Sequence, residues 1–182
     1  MYFVPYGYPY PYYVNMPAYG YGLQPMYAPI PGEAWNAERL QQPRQKIQLR
    51  DYGPDPFVVD IEAAVEQNET FRTALWTGDH LQVTVMNIRP GEDIGLEMHP
   101  QLDQFFRIEE GQGKVQMGSK MNQLTIERNV NDNYAIMVPA GTWHNVINTG
   151  NTPLKLYSIY APPQHPFGTV DMTKADDMRG EK

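Results

Sequence analysis

Between residues 71 and 161 the chain is cut by Gly, Pro, Asn and Asp into short segments of strand length. The spacing predicts strands at 71–76, 81–88, 104–108, 113–117, 123–128, 134–138, 144–148 and 154–161, with a further short strand carrying Glu97 and His99. Many short strands at regular intervals, with turn residues between them, restrict the fold to an all-β sandwich or barrel.

Strand parity then sorts the side chains, because residues two apart share a face. In the stretch 90–113, PGEDIGLEMHPQLDQFFRIEEGQG, Glu97 and His99 point together and Met98 points away. Pro100 removes a ladder donor and ends that segment. Arg107 belongs on the solvated face, which turns Gln104, Phe106 and Ile108 inward with Glu97 and His99. In the stretch 139–148, PAGTWHNVIN, the opening Pro-Ala-Gly is a tight turn, and His144, Val146 and Asn148 share one face. An ionised Glu97 inside a barrel costs several kcal/mol unless something neutralises it. The neutraliser is a metal ion, a proton or an Arg.

These residues resemble the cupin family. Its second motif, Pro-x-Gly-x-x-His with Asn four residues on, is matched by Pro139, Gly141, His144 and Asn148. Its first motif is matched in spacing by Pro90-Gly91, the pair at 97 and 99, position 104 and Gly111. Two residue types depart from it: Glu97 stands where a His is usual, and Gln104 where a Glu is usual. The wording is similar to that of small single-domain bacterial cupins of the mannose-6-phosphate-isomerase-like type, over roughly residues 50–175. The resemblance implies a double-stranded β-helix, the cupin jelly-roll barrel. It also implies a homodimer and a metal site formed by Glu97, His99, Gln104 and His144. Such a site keeps one carboxylate, moved from its usual position. Nitrogen and oxygen donors without sulfur suit Mn, Fe, Co, Ni or Zn. Phe106, Ile108, Val146 and Asn148 are expected to line the pocket, Asn148 as a polar contact.

The flanks read differently. Residues 1–32 carry no charge and consist mostly of Tyr, Pro and Gly; this composition predicts a disordered tail. Residues 33–70 form an arm with a short helix at 33–42, a short strand at 57–59 and a helix capped by Asp60 and ending near Gln67. The arm is expected to pack on the outside of the barrel, which spans 71–165. The segment that follows the last strand, with His165, either crosses the barrel mouth or locks its end. Residues 166–182 form a C-terminal tail, charged and expected to fray from Asp171 onward.

Function classes narrow accordingly. A net charge of −7 argues against a nucleic-acid partner. No apolar run approaches the ~20 residues of a membrane-spanning helix. The absence of Cys excludes disulfides and thiolate chemistry. Gly111-Gln112-Gly113 lacks the third Gly and the helix of a nucleotide loop. The expectation is a metal-binding cupin acting on a small oxygen-bearing molecule, with isomerase and dioxygenase chemistry equally open and no catalytic acid or base identified. The alternative is a non-catalytic structural or binding protein, joined to a spore coat or similar assembly through residues 1–32. The corresponding locations are the cytoplasm or the spore coat.

Overall fold

Residues 46–180 are described by a computed structural model. The tail at 1–32 and the helix expected at 33–42 lie outside the described residues. The ordered elements are α1 (Ile61–Gln67), β1 (Arg72–Thr77), β2 (Gln82–Ile88), β3 (Asp103–Glu110), β4 (Gln112–Gly118), β5 (Ile126–Asn131), β6 (Ala135–Val138), β7 (Trp143–Asn148), β8 (Leu154–Ala161), β9 (Val170–Asp171) and α2 (Lys174–Gly180). They build two antiparallel sheets. One has six strands in the order β6-β3-β8-β2-β1-β9, the other three in the order β5-β4-β7.

Alternation sets the inner face. Along β8, Leu154, Leu156, Ser158 and Tyr160 are buried and their neighbours less so. β8 pairs with β2 and β3 on its two sides, so Gln82, Tyr160 and Gln104 lie in one row across the sheet. The interior is therefore polar at that end. It is apolar further along, where Met86, Ile88, Ile108, Leu154 and Leu156 join Phe106, Val115 and Val146 in one cluster. Arg107 lies half-buried on the other face of β3, ion-paired with Glu109 at 3.1 Å and bonded to Asn133 at 2.9 Å.

Gly111 is the single residue between β3 and β4. It takes φ 95°, and a Cβ there would sit 2.6 Å from the carbonyl oxygen of Pro153. Only Gly fits this reversal.

The arm packs on the outer side. Asp60 caps α1 by accepting from the Ala63 N–H at 3.2 Å. Ala64 and Val65 then cluster with Leu75 and Val85, joined by Ile47, Leu49 and Phe57.

Three local expectations are corrected. Residues 57–59 are not a strand: Phe57 stacks on Tyr52 at 4.1 Å between ring centroids, and Val58 is 98% exposed. Pro54 and Pro56 remove the donors a ladder would need. β5 begins three residues later than expected, at Ile126, because Lys120 and Gln123 close a turn first and pairing with β4 starts at Met117. The C-terminal residues do not fray from Asp171. Asp171 pairs with β1, and α2 follows, carrying a buried Asp177.

Candidate metal centre

Glu97 and His99 sit on an irregular edge segment rather than in a regular strand. The segment pairs with β7 through isolated bridges, Asp93 to Ile147 and Glu97 to His144. Glu97 exchanges both backbone hydrogen bonds with His144, at 3.0 and 2.9 Å. The Gly141 N–H donates to the His99 carbonyl at 2.7 Å, so the Pro139 turn holds His99 in place. Asp103, at the start of β3, accepts from the Ala140 N–H at 2.9 Å and ties the same turn to the large sheet.

The structure brings three of the expected ligands together. Ligand atoms of Glu97, His99 and His144 lie within 4.8 Å of one another. Glu97 Oε1 is 3.2 Å from His144 Nε2 and 3.4 Å from His99 Nε2. His144 is fully buried and His99 nearly so. Gln104 is buried on β3. Its amide nitrogen donates to Ser158 Oγ at 3.2 Å, and its Oε1 has no hydrogen-bond partner. His99 Nε2 also lacks a hydrogen-bond partner, its contact with Glu97 being long and poorly aligned.

The tautomer of His144 follows from its other nitrogen. Nδ1 lies 3.0 Å from the carbonyl oxygen of Thr142, which can only accept. Nδ1 therefore carries the proton, and Nε2 faces the Glu97 carboxylate with its lone pair unless a second proton is added. Two acceptors at 3.2 Å repel unless a cation or a proton lies between them. A ligating imidazole whose far N–H is held by a carbonyl is the arrangement metal sites use. The donor set, with its unpartnered Gln104 oxygen and His99 nitrogen, fits a divalent cation.

Burial works against the charge on Glu97. The close His144 and His99 imidazoles and the positive Arg72 outweigh it and hold the carboxyl down at about 2. The charged Arg72 is a group that sequence reasoning missed. It is 1% exposed, donates to Tyr160 Oη, and pairs side-on with Asp177, Nε to Oδ1 at 2.8 Å and Nη2 to Oδ2 at 3.3 Å. Burial also pushes the Tyr160 hydroxyl up to about 12. The Tyr160 ring stands edge-on to His99, centroids 6.0 Å apart, and to His165, 5.1 Å apart. Gln82 receives the His165 N–H at 2.9 Å and donates to its carbonyl at 2.9 Å. These bonds tie the Pro-rich segment after β8 to β2 and set the His165 ring against Tyr160. Burial then pushes the His165 imidazole down to about 3.

The expected lining residues divide. The Phe106 ring lies 6.0 Å from that of His144, and Ile108 and Val146 are fully buried in the core. Asn148 is corrected. Its amide donates to the carbonyls of Ile88 and Thr152, each at 2.8 Å, and its oxygen accepts from the Gly150 N–H at 2.8 Å. With those groups engaged by backbone, Asn148 locks loops and offers no polar contact to a ligand. A separate groove of about 340 Å³ lies on the outer side of the large sheet, lined by Phe105, Met137 and Ile159 among others.

A two-sheet β-barrel holding a Glu/His/His cluster defines a class that the comparisons name. The family profile described as "Cupin domain" matches residues 84–160. YrkC of Bacillus subtilis (strain 168), an uncharacterized protein, is 57% identical over 186 residues, spanning the whole of both chains. The crystal structure of BH2720 from Bacillus halodurans is 66% identical and covers 71% of this chain and 98% of that one, with a TM-score of 0.71. A protein from Klebsiella pneumoniae subsp. pneumoniae MGH 78578 with a double-stranded β-helix domain is 18% identical. It covers 65% of this chain and 100% of its own, with a TM-score of 0.50, and supports the fold alone. The chain belongs to the cupin superfamily. No helix among the described residues is long and apolar enough to cross a membrane.

Proposed function

We propose that this cupin binds one divalent transition metal, Mn, Fe, Co, Ni or Zn, through Glu97, His99, Gln104 and His144, and acts on a small oxygen-bearing molecule. The observation that carries the reading is the contact between the Glu97 carboxylate and the unprotonated face of His144, which a cation reconciles. When bound, such an ion supplies Lewis acidity toward a carbonyl or enediol oxygen, or holds a substrate for attack by O₂. Glu97 supplies the negative charge, and His99 and His144 supply neutral nitrogen donors. Gln104 adds an amide oxygen, a weaker donor than a carboxylate. Phe106 keeps water from one side of His144. Isomerase and dioxygenase chemistry stay equally compatible with this donor set. Pairing with a second copy of the chain through the outer face around Phe105, Met137 and Ile159 accompanies the reading.

A second reading, a non-catalytic binding or structural cupin, draws support from a different observation. Tyr160 and His165, titratable groups near His99 outside the expected ligand set, are held at about 12 and about 3, so neither exchanges protons readily near neutral pH. The role suggested for residues 1–32 in a coat or assembly belongs to this reading.

The test is metal analysis of full-length protein purified without added metal, beside His144→Ala. Stoichiometric metal in the parent, lost in the variant, is the expected result. It is followed by oxygen-consumption screening with small diols, diketones and phenols. A folded parent that holds no metal and takes none up on addition refutes the metal reading.

A further inference from the structure

Helix α2 is attached to the barrel in an unusual way. Short surface helices ordinarily bury apolar side chains and expose charged ones. Here the buried side chain of the described helix is Asp177, 4% exposed, while Met178 in the helix and Met172 just before it are 57% and 61% exposed. Two ion pairs tie it to the rest of the described residues. Asp177 meets Arg72, and Lys174 meets Asp93. Thr173 and Asp176 close the helix start on themselves. A helix held by its acids and bases, with its methionines in water, gives up little apolar burial when it leaves.

Arg72, which it covers, adjoins the candidate metal centre. The guanidinium donates to Tyr160 Oη, the Tyr160 ring stands edge-on to His99, and the Arg72 charge is felt at Glu97. The Asp177 carboxylate lies side-on against the guanidinium, the two-point geometry by which Arg recognises carboxylates in general. The same interior holds three buried polar atoms without hydrogen-bond partners, Thr84 Oγ1, His99 Nε2 and Gln104 Oε1. Thr84 and Gln104 sit on the two strands that flank β8.

We propose that Arg72 and Tyr160 anchor the carboxylate of a small ligand of this site, and that Asp177 is the internal carboxylate that fills the anchor until α2 moves aside. This deepens the small-molecule reading given above and rests on it for the ligand's other end, which lies toward His99. The substrate class is a small carboxylic acid bearing a further oxygen function. The C-terminal helix is the plug that an incoming acid displaces.

The experiment uses full-length protein and formate, which supplies the group that Asp177→Ala removes. The substitution strands a buried guanidinium, and the melting temperature falls by roughly 10 °C. Formate restores at least half of that fall, and chloride at the same ionic strength restores little. In the Arg72→Met/Asp177→Leu double variant formate has no such effect. In the parent, formate speeds hydrogen exchange across residues 173–180 and chloride does not. This last measurement decides the matter if Asp177→Ala fails to fold. Formate no better than chloride, or a rescue that persists without Arg72, overturns the proposal. Metal content is measured on every sample. Rescue in metal-free protein upholds the anchor and removes only the metal reading, while metal-loaded protein without rescue removes only the anchor.

Discussion

His165 offers a prediction whose size can be worked from its surroundings. It is mostly buried over Tyr160, near His99 and the positive Arg72, and its pKa falls from 6.5 to about 3. In the unfolded chain it titrates near 6.5. Between these values the unfolded chain binds a proton that the folded one does not, so stability rises with pH across the window and is lost as pH falls from 6.5 toward 3. Going from pH 7.5 to 5.0 therefore removes about 2 kcal/mol through this residue, at 1.36 kcal/mol per unit below 6.5. Residual exposure of the ring makes that an upper figure. Glu97, held at about 2 against an ordinary 4.5, loses its contribution only below pH 4.5 and leaves this interval undisturbed. The assay is urea denaturation of the parent and of His165→Phe at both pH values, at matched ionic strength and metal content. The Phe variant keeps a ring over Tyr160 and cannot titrate, so its stability should fall by up to about 2 kcal/mol less than the parent's. An equal fall in both proteins refutes the claim that His165 stays neutral in the folded state.

Two further predictions concern a lock and a surface. Asn148→Ala removes three hydrogen bonds to backbone, one of them buried, and should cost roughly 2–3 kcal/mol. Metal content should be unchanged, and normal stability with lost metal would return Asn148 to the site. Met137 is 65% exposed beside the outer groove. Light scattering should find the parent as a dimer and Met137→Arg shifted toward monomer; a parent that stays monomeric at high concentration removes the pairing.

The core of the site was legible because parity and turn chemistry act locally. Glu97 and His99 converge with His144 as their alternation requires, and Gly111 and Gly141 stand at positive φ where the turns were expected. The bounds of β8 and the Asp60 cap follow from the same local rules. What escaped depends on distance along the chain. Arg72 opens a strand of mixed polarity and gives no sign of its partner, which lies 105 residues away in a stretch whose charge suggested fraying. Both sheet faces of that strand are covered, so alternation could not reveal which way Arg72 points. Asn148 was misassigned for a related reason. Spacing places a side chain on a face but does not say whether backbone carbonyls will claim it first.

The charges buried at this end of the barrel narrow what neutralises Glu97. The sequence left a metal, a proton or an Arg open. The Arg is present, but Asp177 already holds it side-on. Tyr160, at about 12, and His165, at about 3, are both neutral near pH 7. One guanidinium thus faces two carboxylates, and a positive charge is still required beside Glu97. It must sit where His99 Nε2 and His144 Nε2 approach the same carboxylate oxygen, because the Thr142 carbonyl claims the other nitrogen of His144. A proton on one imidazole would meet the need for Glu97 but would leave Gln104 Oε1 without a partner. The cation proposed above, were Gln104 to join Glu97, His99 and His144 in holding it, would meet both needs. If a ligand carboxylate took the place of Asp177 at Arg72, this balance would not change, so displacing the proposed plug need not disturb the proposed ion.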